Sequence, residues 1–189
     1  MTHGHGYRYR VLGATQALRP DGTEAPLAGP RLRALLTALA AAAGRTVPVA
    51  GLAAHVWPDD DPADALPADE TAALQALVGR LRRALGRDAV RSEPGGYRLV
   101  ARPEDIDLFR FERLAADGAA ALAAGDPAAA ARLLDEALGL WRGPALADLP
   151  GRDRDPLAVR ARLLPVPGLG RGPARGAPAA GRRDDRAAR

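Results

Sequence analysis

Three segments of helical hydrophobic spacing followed by one abrupt return to strand spacing constrain this chain more than any other feature. Leu32, Leu35, Leu36 and Leu39 recur at the 3.6-residue period, with Pro30 near the first turn and Gly44 just past the end. A second helix fits residues 49–56, where Leu52, Val56 and Trp57 are apolar and Pro58 ends the run. A third runs from about residue 69 to 85, with Asp69 and Glu70 suited to its N-terminus and Gly86 to its end. Leu74, Val78, Leu81 and Leu85 form its apolar stripe. The period then falls to two: residues 89–92 and 97–100 flank Glu93-Pro94-Gly95-Gly96, and the Pro-Gly pair suits a type II turn. Upstream, Tyr7-Arg8-Tyr9-Arg10-Val11-Leu12 alternates as a half-buried strand does, and Pro20-Asp21-Gly22-Thr23 reads as a turn. Two or three short antiparallel strands are therefore expected over residues 7–27. Strands, three helices and a closing hairpin, in that order within 102 residues, make a winged helix-turn-helix. In that fold the third helix enters the major groove, and the wing approaches the neighbouring backbone or minor groove.

The distribution of charge supports a double-stranded DNA partner. The 189-residue chain has a net charge of +4, yet the sign alternates along it. Residues 1–70 hold 6 arginines against 8 acids, and residues 71–102 hold 7 against 2. Residues 103–150 hold 4 against 9, and residues 151–189 hold 10 against 4. On the third helix Arg83 lies opposite the apolar stripe, flanked by Arg80 and Arg82, with Ala72, Ala76 and Gly79 on the same outward face. Small side chains beside arginines let a helix backbone approach phosphates and base edges. Arg91 and Arg98 place two further cations on the wing.

Composition removes several chemistries. Cysteine is absent, which excludes disulfides and thiolate sites. Lysine and asparagine are absent too, isoleucine occurs once and alanine 44 times, the bias of a GC-rich genome. Without lysine there is no phosphate-loop lysine or Schiff base. His3 and His5 form an isolated pair near the N-terminus, His55 sits beside Trp57, and Gly168-Leu169-Gly170-Arg171-Gly172 has no strand before it or helix after it. No nucleophile–base pair can be assembled, so an enzyme, a cofactor and a metal site are not expected. Asp59, Asp60, Asp61 and Asp64 lie in a proline-broken stretch without EF-hand spacing and read as a solvated loop. No run of 18 apolar residues exists, and the opening MTHGHGYRYR lacks the apolar core of a secretory leader. A cytoplasmic protein with no membrane partner is the expectation.

Residues 105–149 change character. Phe111, Leu114, Gly118 and Leu122, then Gly125-Asp126-Pro127, then Ala130, Leu134, Ala137, Leu138 and Trp141 read as two alanine-rich helices joined by a tight turn. Small residues at regular positions suggest tetratricopeptide-like packing, and one such hairpin needs a neighbour to bury its face. From residue 151 onward, arginine, alanine, glycine and proline supply 29 of 39 residues, a composition expected to be disordered.

Together these segments resemble the SARP-type (antibiotic regulatory protein) transcriptional activators. The likeness is carried by Gly29-Pro30-Arg31-Leu32-Arg33-Ala34-Leu35-Leu36, by Leu74-Gln75 with Arg80-Leu81-Arg82-Arg83-Ala84-Leu85-Gly86, and by Pro94-Gly95-Gly96-Tyr97-Arg98-Leu99. It continues in Ala121-Leu122-Ala123-Ala124-Gly125-Asp126-Pro127 and Leu140-Trp141-Arg142-Gly143-Pro144-Ala145-Leu146. The resemblance implies an OmpR-type winged helix over residues 1–102 and part of a bacterial transcriptional activation domain over 103–150, before the tail at 151–189. The fold class is mainly α with small β elements. It also implies activation of a biosynthetic or pathway gene cluster, binding to direct promoter repeats, as a homodimer if two copies pair there, and recruitment of RNA polymerase. Gln75, Arg31 and Arg33 join Arg80, Arg82, Arg83, Ala76, Gly79, Arg91 and Arg98 as the expected DNA-facing set. Three departures are visible. Ala76, Leu77 and Gly79 stand where such proteins usually carry polar residues, the loop at 59–68 is longer, and the activation-domain helices do not continue in the tail. The tail reads either as the product of a frameshift near residue 150 or as a genuine basic extension adding salt-sensitive DNA affinity. The alternative function is a protein-interaction module or truncated decoy with only weak, non-specific DNA binding.

Overall fold

A computed structural model describes residues 6–57 and 67–152. His3, His5, the acidic loop, the Gly168–Gly172 run and nearly all of the tail lie outside the described residues. The chain order is β1 (Arg8–Arg10), β2 (Gln16–Leu18), α1 (Pro30–Ala41), β3 (Val47–Pro48), α2 (Val49–Val56), α3 (Glu70–Leu85), β4 (Val90–Glu93), β5 (Gly96–Leu99), α4 (Asp107–Ala123) and α5 (Pro127–Gly139). This is a winged helix followed by a helical hairpin.

Local chemistry accounts for most element boundaries. Pro30 stands in the first turn of α1, where its missing N–H costs nothing. Asp69 caps α3, its side chain accepting from the Ala72 N–H at 2.9 Å. Asp126 caps α5 in the same way through Ala129 N–H at 2.8 Å, with Pro127 following it. In the wing, β4 and β5 pair antiparallel from Val90↔Leu99 to Glu93↔Gly96, so Pro94-Gly95 is a two-residue loop. Gly95 has φ +76°, a value that glycine adopts without strain.

The sheets differ in detail from expectation. β1 and β2 form a two-stranded sheet whose connection is residues 11–15, and the Asp21-Gly22 turn lies beyond β2, flanked by a Leu18↔Glu24 bridge. The wing sheet gains a third strand in the order β3-β5-β4. β3 is only two residues and contains Pro48, so no alternation announces it. Its Val47 pairs with Tyr97, which fixes the wing to the segment leading into α2.

One hydrophobic core runs through both halves, crossing the boundary expected at 102/103. It includes Val11, Leu12, Leu35, Leu39, Leu81 and Leu99, and continues into Ile106, Phe111, Ala137 and Leu146. The N-terminal strand is the seam. Tyr9 bridges to Ile106, and Leu12 bridges to Ala145. The amides of Arg142 and Leu146 donate to the carbonyls of Leu12 and Val11 at 2.8 and 2.7 Å. Phe111 meets Trp141 edge-on at 5.3 Å between ring centroids. Within the hairpin, Gly118 sits where α5 crosses, and a Cβ there would lie 3.0 Å from Leu134. Leu122, expected in the buried pattern, is 49% exposed.

Candidate nucleic-acid interface

Helix α3 presents two different faces. Leu74, Leu77, Val78, Leu81 and Leu85 are buried against α1 and α2, each contributing about 1.5–3 kcal/mol by leaving water. Leu77 therefore belongs to the core. Its expected place among groove-facing departures is corrected, because packing on two helices widens the buried stripe beyond the four leucine and valine positions first read. On the other side Ala72, Gln75, Ala76, Arg80 and Arg83 are exposed, and Gly79 is half-buried between them. Nothing lies within 4 Å of where a Gly79 Cβ would be, so that face is open at its middle.

The ten expected residues divide by what their side chains do. Arg83 and Arg91 are exposed and make no ion pair or side-chain hydrogen bond among the described residues. Arg80 is exposed, with Nη2 donating to the Ala28 carbonyl at 2.9 Å, which leans its guanidinium toward the start of α1. Arg82 is half-buried and turns to the wing, donating from Nε to the Val90 carbonyl at 2.9 Å and from Nη2 to Ser92 Oγ at 3.0 Å. Arg98 reaches Glu93 Oε1 from Nε at 3.1 Å and from Nη2 at 3.0 Å. Arg91 lies directly across from Arg98, and Glu93 offsets the charge of Arg98 on that face.

The two α1 arginines do not join the α3 face in the same sense. Arg31 stacks 6.0 Å above the Trp57 ring, a cation–π contact. Arg33 is engaged at the junction between the halves, where Nε meets Asp148 Oδ1 at 2.8 Å. The Thr15 amide donates to the other Asp148 oxygen at 2.7 Å. Burial pushes the Asp148 carboxyl up, but the Thr15 and Arg33 donors outweigh it and hold it below the ordinary carboxylate range. Asp107 behaves oppositely. Its burial dominates and raises its pKa, although the Val11 and Leu12 amides and Arg142, 3.6 Å away, pull it down. Sequence reading missed both aspartates, and also Arg87, exposed just beyond Gly86. The run Arg82-Arg83-Ala84-Leu85-Gly86-Arg87 carried a signal for Arg87; nothing local marked the aspartates.

Among the described residues no three His, Cys, Asp or Glu side chains gather as metal ligands. His55 Nδ1 lies 2.6 Å from the Gly51 carbonyl within α2. No helix among the described residues is long and apolar enough to cross a membrane.

The described residues thus combine a winged helix, whose third helix bears exposed arginines, with a paired-helix extension. Residues 106–164 match the bacterial transcriptional activator domain family, a match that passes the boundary expected at 150. The regulatory protein AfsR of Streptomyces griseus is 41% identical over 145 residues, covering 76% of this chain and 14% of that protein. The regulatory protein DnrI of Streptomyces peucetius is 36% identical over 136 residues, covering 68% of this chain and 50% of that protein. A solved structure of Mycobacterium tuberculosis EmbR in complex with a low-affinity phosphopeptide superposes with a TM-score of 0.72 at 33% identity, over 84% of this chain and 41% of that one. These matches support the resemblance to the SARP-type transcriptional activators. The chain spans half or less of these relatives' length. Both Streptomyces relatives are named as regulatory proteins.

Proposed function

We propose that this chain regulates transcription by binding promoter DNA, with the exposed face of α3 in the major groove and the wing beside the backbone. The observation carrying this reading is the exposed strip Ala72, Gln75, Ala76, Arg80 and Arg83, with half-buried Gly79 among them, lying opposite a buried stripe on the same helix. Arg80, Arg83 and Arg91 supply phosphate or guanine contacts, Gln75 supplies an amide for adenine, and Ala76 and Gly79 permit close approach. Activation of a biosynthetic or pathway gene cluster, pairing of two copies head-to-tail on direct repeats, and recruitment of RNA polymerase follow from the family and belong to the same proposal.

Selection of bound duplexes from a random pool tests it, since it measures binding and sequence preference together. Recovery of a repeated motif is the expected result. Arg83→Ala and Arg91→Ala should each reduce the salt slope of log K by about one, the signature of a lost phosphate contact. Equal, weak affinity of the natural chain for every duplex would instead favour the interaction-module reading. That reading draws on the scarcity of hydrogen-bonding groups beside Gln75 on the α3 face.

A further inference from the structure

We infer that Arg82 is a positioning residue that fixes the angle between α3 and the wing, and that it does not contact a phosphate. This rests on the reading that α3 and the wing form one DNA-binding surface. The geometry is a two-point bridge. Nε donates to the Val90 carbonyl and Nη2 to Ser92 Oγ, so one guanidinium spans two residues of the same strand.

Strand register shows which side of the wing is held. Arg91, Glu93 and Arg98 share one face, with Arg91 opposite Arg98 and Glu93 two residues along. Val90 and Ser92 occupy the other, where Val90 and its partner Leu99 are buried. Arg82 therefore grips β4, the edge strand of the wing, through a backbone oxygen of buried Val90 and the hydroxyl of exposed Ser92. It spends its charge-assisted donors on oxygens of the wing, in a half-buried position, whereas the next residue, Arg83, is exposed and has no such partner. Two adjacent arginines of identical composition thus do different work because the helix turns about 100° between them.

The wing has reason to need such a tether. Its strands are four residues each, and the third strand contributes only two. Sheets this small are marginal without packing or side-chain anchors. Beside the core that Leu81 and Leu85 share with Val90 and Leu99, Arg82 supplies side-chain hydrogen bonds from α3 into β4.

The test compares Arg82→Ala, Arg82→Gln and Arg83→Ala in the full chain. Two readouts are taken: hydrogen exchange of the amides in residues 90–99, and the salt dependence of binding to a fixed duplex. For Arg82→Ala we expect wing amides to exchange roughly tenfold faster while those of α4 keep their rates. Affinity should fall about five- to tenfold with the salt slope unchanged. Arg82→Gln, which retains a donor without charge, should recover part of the protection. Arg83→Ala should show the reverse pattern, an unchanged wing and a slope lower by about one. Unchanged wing exchange in Arg82→Ala overturns the inference, and so does a slope reduced by one in that variant. If the natural chain binds no duplex, the DNA reading fails, and the exchange data still decide whether Arg82 holds the wing.

Discussion

Asp107, the first residue of α4, accepts hydrogen bonds from the backbone N–H groups of Val11 at 2.7 Å and Leu12 at 3.2 Å, partners 96 and 95 residues earlier in the chain. Both donors lie in the connection between β1 and β2, outside the ladder that those two strands form. A buried N–H without an acceptor is costly, so this carboxylate joins the winged helix to the helical hairpin. Asp107→Ala removes the acceptor for both amides. Chemical denaturation should show a loss of about 3 kcal/mol, and Asp107→Asn about 1–3 kcal/mol because its amide nitrogen cannot accept from Leu12. A loss below about 0.5 kcal/mol in the alanine variant would mean that the seam is held elsewhere.

Asp148 gives the same junction a defined pH response. Its folded pKa is lowered from 3.8, so its contribution is complete above that unfolded value and disappears as pH falls through the lower folded value. Asp107, raised by burial, contributes in the opposite sense: its share is full below 3.8 and is lost as pH rises through its folded value. Asp148→Asn should therefore differ from the natural chain most at neutral pH, and the difference should shrink toward pH 3. Urea midpoints of the two proteins at both pH values measure this. A gap that widens on acidification contradicts the assignment.

Thr15 and Thr37 form a buried hydroxyl pair at 2.6 Å. Thr37 donates its own proton to the Arg33 carbonyl at 2.8 Å, and the Thr15 hydroxyl lies between Thr37 and the Asp148 carboxylate. Thr37→Val removes one partner of the Thr15 hydroxyl while Asp148 remains, and should cost about 1 kcal/mol. Thr15→Val leaves the Thr37–Arg33 bond intact and should cost about 1 kcal/mol or less. The double variant should be less destabilised than the sum, and strict additivity in the cycle would refute the pairing.

Two glycines, one on the open face of α3 and one in the wing, should respond in opposite ways to a single methyl. Gly79 has open space around its missing Cβ, so Gly79→Ala should stabilise α3 by roughly 1 kcal/mol. At Gly96 a Cβ would fall inside contact distance of the Val47 carbonyl, a backbone atom that cannot step aside. Gly96→Ala should cost about 2–3 kcal/mol and loosen the β3–β5 pairing. Thermal midpoints of the two variants, moving up for one and down for the other, check the pair.

What the sequence determined by itself is the set of elements stabilised by near neighbours. The stripe at Leu74, Val78, Leu81 and Leu85, the Asp69 cap and the Pro94-Gly95 loop are all written within one or two turns of chain, and the folded protein has them where the spacing puts them. The outward direction of Arg83 follows from the same periodicity. Only tertiary structure decided that Arg82 turns to Val90 and Ser92, that Leu77 joins the core and that Arg33 meets Asp148 across 115 residues. It likewise decided that the winged helix and hairpin share one core. A helical period gives a side chain a direction but not the distance to a partner on another element. Which buried N–H or carbonyl needs an acceptor or donor is settled only when distant backbones are brought together, and nothing in local spacing encodes that.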